Sequence, residues 1–196
     1  MKLRLHNIPI FFLGFFLVTQ PCSASFLKIS GQLGYGTFSA SKDTLAKSEG
    51  PMAFGIGTDY DINSRWSLGA EHFRSLSMSP VGTSISMTGF TGRWYYVSPV
   101  PNSLDFESPY LKVRVRQKGL FPYLGWSFGF AQASVVGNRV GEDVVAQSLA
   151  LSMKVGGDYP FMGNLAGRIE LNIGTPLLGT GSVSFTCLTV GGVYFW

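Results

Sequence analysis

Seven charged residues sit in company that is unusual for charge: Lys28, Asp59, Glu71, Arg93, Lys154, Arg168 and Glu170. Each lies in an extended run where large apolar residues alternate with small or polar ones, and each falls on the small side. Successive side chains of a strand point to opposite faces. The seven therefore share an inner side, opposite a row of leucine, isoleucine, phenylalanine and tryptophan. Charges of mixed sign enclosed together can pair, line an ion path or serve catalysis. Unpaired buried charge is expensive, so pairing is the first expectation: Arg168 and Lys154 with Glu170, Glu71 and Asp59. Catalysis needs a nucleophile and a base within hydrogen-bond reach. His72 is the single histidine beyond residue 24. Glu71 precedes it, but neighbours in a strand face opposite ways. Ser75 and Ser77 are nearby, with nothing to activate them. Cys187 falls on a small inner face and reads as a packed small residue. The sequence carries no metal-ligand cluster, phosphate loop or nucleotide fingerprint. No cofactor, no metal, no enzymatic activity and no nucleic-acid partner are expected.

The elements that hold these residues are strands with a dyad repeat. The first, Phe26 to Phe38, sends Leu27, Ile29, Leu33 and Tyr35 one way and Lys28, Ser30, Gln32, Gly34 and Gly36 the other. The second, Met52 to Ile62, ends at a turn of suitable chemistry, Asn63-Ser64-Arg65. The third, Trp66 to Leu76, loses its phase near His72-Phe73-Arg74. In the fourth, Ser84 to Val97, Ile85 and Met87 have the other parity from Phe90, Trp94 and Tyr96, which predicts a bulge near Thr88-Gly89. Trp94-Tyr95-Tyr96 suits an interfacial aromatic girdle. The proline-bearing segment Ser98 to Gly119 reads as an extension of the fourth strand or as a hairpin arm. The fifth strand, Leu120 to Val136, has the cleanest alternation. The sixth is Ala146 to Asp158, the seventh Leu165 to Gly174, and the eighth starts at Val183.

That eighth strand ends the chain. Leu188, Val190, Tyr194 and Trp196 share one face, opposite Cys187, Thr189, Gly191 and Val193. The pattern Leu188-x-Val190-x-Gly192-x-Tyr194-x-Trp196 resembles the C-terminal assembly signal of bacterial outer-membrane β-barrels. Pro122-Tyr123-x-Gly125-x-x-x-Gly129 resembles a stretch common in OmpA-like and OmpW-like small barrels. The resemblance implies an all-β, eight-stranded, antiparallel up-and-down transmembrane barrel at residues 25–196. It also implies outer-membrane lipids and the barrel-assembly machinery as partners. A periplasmic or surface partner reached through the loops is a further expectation.

Composition and the front of the chain agree. Charged residues are only 13 % of the chain and glycines number 25. A soluble domain carries about 25 % charge; a barrel whose outside meets lipid needs less. Residues 1–24 read as a secretory signal peptide. Lys2 and Arg4 supply the positive start, Ile8 to Val18 the apolar run, and Cys22-Ser23-Ala24 the cleavage site. That run is short of the ~20 apolar residues of a spanning helix, and Thr19-Gln20-Pro21 fits a lipobox poorly. Without Lys2 and Arg4 the formal charge falls from +4 to +2, 13 basic residues against 11 acidic. The high pI carries no nucleic-acid inference. A soluble lipocalin-type barrel is the rival fold, but it requires an apolar interior, and here the seven charges would have to leave it. The expected function is a non-enzymatic envelope-integrity or adhesive barrel. The alternative is a narrow pore or carrier for small solutes or hydrophobic molecules, with a lipid A-modifying enzyme further behind.

Overall fold

The computed structural model describes residues 27–42, 45–49, 52–76, 82–97, 105–108, 111–114, 119–136, 142–162 and 164–195. The expected signal peptide, Trp196, and most of the Ser98–Gly119 segment lie outside the described residues. In chain order the strands are β1 Leu27–Lys42, β2 Leu45–Glu49, β3 Met52–Asp61, β4 Trp66–Leu76, β5 Gly82–Tyr95, β6 Asp105–Ser108, β7 Leu111–Arg114, β8 Phe121–Val136, β9 Glu142–Met162, β10 Leu165–Gly179 and β11 Ser182–Phe195.

Every pairing is antiparallel, and β11 closes on β1. Strand β2 continues the register of β3 against β1, so the two form one stave. The wall therefore has eight staves: β1, β2–β3, β4, β5, β8, β9, β10 and β11. Closure pairs the backbone groups along the wall, which is what a hydrocarbon environment demands. Partner to partner around the wall, the ladder runs Lys28, Asp59, Gly69, Thr91, Ser127, Ser152, Gly174, Phe185. It returns to β1 at Phe38, ten residues beyond its start at Lys28. This stagger tilts the strands, typically by ~35–45°, and leaves an interior that side chains fill.

Strand polarity is that of a membrane barrel. Leu33, Tyr35, Phe90, Phe130, Met153 and Val190 are each more than half exposed on the outside. At the end carrying the chain termini, Tyr60, Trp66, Tyr96, Tyr159 and Tyr194 are exposed and make an aromatic girdle. The turn there is local chemistry: Asn63 Oδ1 accepts hydrogen bonds from the backbone N–H groups of Arg65 and Trp66, both at 2.9 Å.

Three expectations change. No bulge interrupts β5: its ladder to β8 runs unbroken from Gly82 to Tyr95, and its ladder to β4 from Ser86 to Trp94. Ile85 and Met87 point inward in phase with Arg93 and are buried. Phase is not lost at His72-Phe73-Arg74 either, because Phe73 is also an inward residue, 6 % exposed. The inner face is thus polar only over part of its length. Finally, several strands run longer than the apolar pattern marks. Strand β9 starts at Glu142, β10 continues to Gly179, and ladder irregularities fall at Ala133/Ser134 and Pro176/Leu178. Beyond the lipid belt the alternation signal fades while backbone pairing continues. In the expected arm, β6 and β7 form a separate two-stranded hairpin in register Asp105↔Arg114 to Ser108↔Leu111.

Candidate functional site: a lumen filled in two layers

The inward positions of the eight staves make two layers. The termini-side layer is ionic. Arg93 on β5 is its centre: it pairs with Asp59, reaches Glu170 Oε2 at 3.2 Å and approaches Glu71 Oε2 at 3.6 Å. Lys154 on β9 pairs with Glu71 and lies 3.4 Å from Glu170 Oε1. Arg168 on β10 grips Asp158 with two nitrogens, Nε to Oδ1 at 2.7 Å and Nη2 to Oδ2 at 2.9 Å, and reaches Asp59 Oδ2 at 3.4 Å. That two-point geometry is the strong form of an arginine–carboxylate contact. Lys28 on β1 pairs with Asp61 Oδ1 at 2.6 Å.

Hydroxyls complete the network. Tyr95 donates to Asp158 Oδ2 at 2.9 Å, Tyr123 to Glu170 Oε2 at 2.7 Å, and Ser127 to Glu71 Oε1 at 2.6 Å. The Tyr123 ring is close to both guanidinium groups, 5.6 Å from that of Arg93 and 5.4 Å from that of Arg168. Lys28 Nζ stands 4.7 Å from the Tyr95 ring. Except for Glu71, at 12 %, the side chains in these ion pairs are at most 4 % exposed.

All seven charged residues singled out in the sequence thus meet in one cluster. The anticipated links of Lys154 to Glu71 and Glu170, and of Arg168 to Asp59, are present. Five members were missed: Asp61, Tyr95, Asp158, and Tyr123 and Ser127 as bonding partners. The parity signal for them was available. Asp61 shares its face with Asp59, Tyr95 with Arg93, and Asp158 with Lys154. Position within the strand was not available, and Asp61 and Asp158 looked like strand-end residues.

The loop-side layer is apolar. Phe38, Phe73 and Phe185, from β1, β4 and β11, stack on one another with ring centroids 5.4–6.3 Å apart. Ile85, Met87, Val183, Cys187 and a set of alanines pack around them. The inward Gly174 makes room for this stack, because a Cβ there would overlap the Phe185 ring. Gly174→Ala is therefore expected to destabilise the barrel by about 1–3 kcal/mol through overpacking. A lowered temperature for loss of the compact band in heat-modifiable gel mobility would register it. An unchanged transition would mean that the stack is loose.

Between the layers lies a cavity of about 20 Å³, lined in part by Ser30, Gln32, Lys154, Asn172 and Thr189. That is about the size of one water. No group of three metal-ligating side chains occurs among the described residues.

His72 does not join Glu71. Its side chain is on the outer face, where Nδ1 is 2.7 Å from Thr88 Oγ1, while Glu71 points to Lys154 and Arg93. Ser75 is buried on the inner side and accepts a hydrogen bond from the Ile85 N–H at 2.8 Å. Cys187 is buried against the phenylalanine stack. Leu188, Val190 and Tyr194 of the C-terminal pattern all face outward, 41–59 % exposed.

Solved structures share this architecture. Neisserial surface protein A superposes with a TM-score of 0.62, at 14 % identity over 86 % of this chain and 96 % of that one. The outer membrane protein OprG of Pseudomonas aeruginosa gives 0.51, at 10 % identity over 88 % and 96 %. The N-terminal β-barrel domain of Pseudomonas aeruginosa OprF gives 0.50, at 14 % identity over 85 % and 97 %. No protein-family model matches the sequence, and no curated protein sequence does. The chain has the fold of the small bacterial outer-membrane barrels: an eight-stranded, antiparallel transmembrane β-barrel.

Proposed function

We propose that this chain is a non-enzymatic outer-membrane barrel whose lumen is a sealed structural core, serving envelope integrity or adhesion through what its loops display. The observation that carries this reading is the double filling of the lumen. An aqueous path would have to cross both an ion-paired layer and a three-ring apolar stack. Desolvated ion pairs do not open cheaply, because parting them leaves buried charge unpaired. The non-enzymatic reading is supported by the separation of His72 from Glu71 and Ser75 across the wall. The outward face of β11 suits recognition by the barrel-assembly machinery, and the apolar belt suits outer-membrane lipids.

Single-channel recording tests the proposal. Purified barrel in planar bilayers is expected to give no discrete conductance steps. Reproducible steps that persist at high purity would move the assignment to a narrow pore.

A further inference from the structure

The ionic layer does not balance. Among the described residues it sets five carboxylates, Asp59, Asp61, Glu71, Asp158 and Glu170, against four basic groups, Lys28, Arg93, Lys154 and Arg168. One negative charge is left over among side chains that are almost all desolvated, and uncompensated buried charge is expensive. A bound cation or a proton on one carboxylate would settle it. The cavity between the layers has the oxygens for a cation. Asn172 lines that cavity and is 3 % exposed, and its Oδ1 has no hydrogen-bond partner among the described residues. Buried polar atoms are normally bonded, so this oxygen points to a ligand. Two hydroxyls of the same lining have already committed their protons. Thr189 Oγ1 donates to Gln32 Oε1 at 2.6 Å and lies 3.2 Å from the Glu170 carbonyl oxygen, and Ser30 Oγ donates to the Gly57 carbonyl at 3.4 Å. What they have left is lone pairs. Glu170 also lines the cavity.

We infer that this cavity binds one alkali-metal cation as a resident counter-ion of the ionic layer, with Asn172 Oδ1, the Thr189 and Ser30 hydroxyl oxygens and the Glu170 carboxylate as its ligands. Hard cations take oxygen ligands. The room, about 20 Å³, is that of one water, so the ion sits there without its hydration shell. One surplus charge calls for a monovalent ion. A divalent ion would overshoot it beside the Lys154 ammonium, which also lines the cavity and is already shared between Glu71 and Glu170. The ion is held rather than passed, because Phe73 of the apolar stack borders the cavity toward the loops. The inference rests on the charge and oxygens of the ionic layer and goes beyond the sealed-lumen reading.

The test is urea unfolding of the barrel in phosphatidylcholine vesicles at fixed ionic strength, with choline chloride replaced stepwise by sodium chloride or by potassium chloride. A ligand of the folded state alone stabilises by mass action, so each tenfold rise in the bound ion above its Kd is expected to raise the folding constant of the wild type about tenfold. Asn172→Leu puts a methyl group in place of the orphan oxygen and should flatten the response. Gly55→Ala is the second variant, should the first fail to fold. Gly55 lines the cavity, and a Cβ there meets nothing nearer than 3.6 Å, so the wall tolerates the methyl while the ion loses its room. Ser67→Ala removes a buried, unpartnered hydroxyl away from the cavity and should keep the full response. A wild-type folding constant equal in choline, sodium and potassium would overturn the site and give the surplus charge to a proton. A response that survives both Asn172→Leu and Gly55→Ala would overturn it too, by placing the ion elsewhere. Conductance steps would sink the sealed lumen while leaving this salt dependence in place, and a flat salt response would leave the bilayer recording as it stands, so the two failures are distinguishable.

Discussion

Arg93→Met should cost the barrel about 3–5 kcal/mol, the usual result of removing one partner from a buried charge network. Among the described residues, Arg93 is the one that touches three carboxylates, those of Asp59, Glu71 and Glu170. Methionine keeps much of the volume, so the loss is electrostatic. Lys154 and Arg168 would still face Glu170 and Asp59, which keeps the expected loss near the lower end of that range. Urea unfolding in lipid vesicles, followed by tryptophan fluorescence, reads the change. The double variant Arg93→Met/Asp59→Asn should recover part of the loss, because it also removes the carboxylate that Arg93 approaches most closely. If the single variant unfolds like wild type, the cluster is not desolvated and the sealed-lumen reading fails with it. A favourable cluster is not the same as a stabilising one: buried ion pairs commonly break even against apolar replacements. The physical role of this network is to tie six staves, β1, β3, β4, β5, β9 and β10, to one another across the lumen.

Phe73→Ala should be comparably severe, about 3–5 kcal/mol, the range for truncating a buried aromatic. Phe73 packs on both other rings of the trio, 5.7 Å from Phe38 and 5.4 Å from Phe185 by centroid. The surrounding wall is a closed ladder and cannot collapse into the space left behind, so the cavity term is expected in full. The same urea experiment measures it. The variant also probes function. With the ionic layer intact it should remain non-conducting, whereas steps appearing in Phe73→Ala alone would mean that the apolar layer is the sole seal. A cost below about 1 kcal/mol would show that the three rings are not a packed core.

The two layers explain how the interior satisfies both halves of the barrel. Near the termini, the outside girdle is amphipathic and the inside is paired charge with tyrosine hydroxyls. Toward the loops, the inside becomes hydrocarbon-like, and alanine and glycine opposite the rings supply the clearance. Residues that look like interruptions of the barrel pattern in the sequence, Phe73, Ile85 and Met87, are therefore the pattern's second layer.

Much of the fold is readable directly because a strand has a period of two. Once Leu27, Ile29, Leu33 and Tyr35 are placed outside, Lys28 and its neighbours can only be inside, and the same logic fixes Arg93, Lys154, Arg168 and Glu170. Alternation marked eight strands and the inward direction of the charged members of the cluster, low charge and glycine content suited a wall facing lipid, and the closed antiparallel barrel was what the resemblance of the C-terminal strand and of the Pro122–Gly129 stretch implied. Tertiary structure decided everything that depends on register. Alternation gives a side but not a height, and height follows from how far each strand is slid against the next. The register of β9 against β10 sets Asp158 beside Arg168, that of β1 against β3 sets Asp61 near Lys28, and closure with a stagger of ten, Lys28 to Phe38 around the wall, brings the charges of separate staves to one height. The same slide gathers Phe38, Phe73 and Phe185 into one stack, although they are separated by 35 and 112 positions in the chain. Local sequence carries no term for such distances, because the energy that selects the register is the mutual burial of the side chains it brings together.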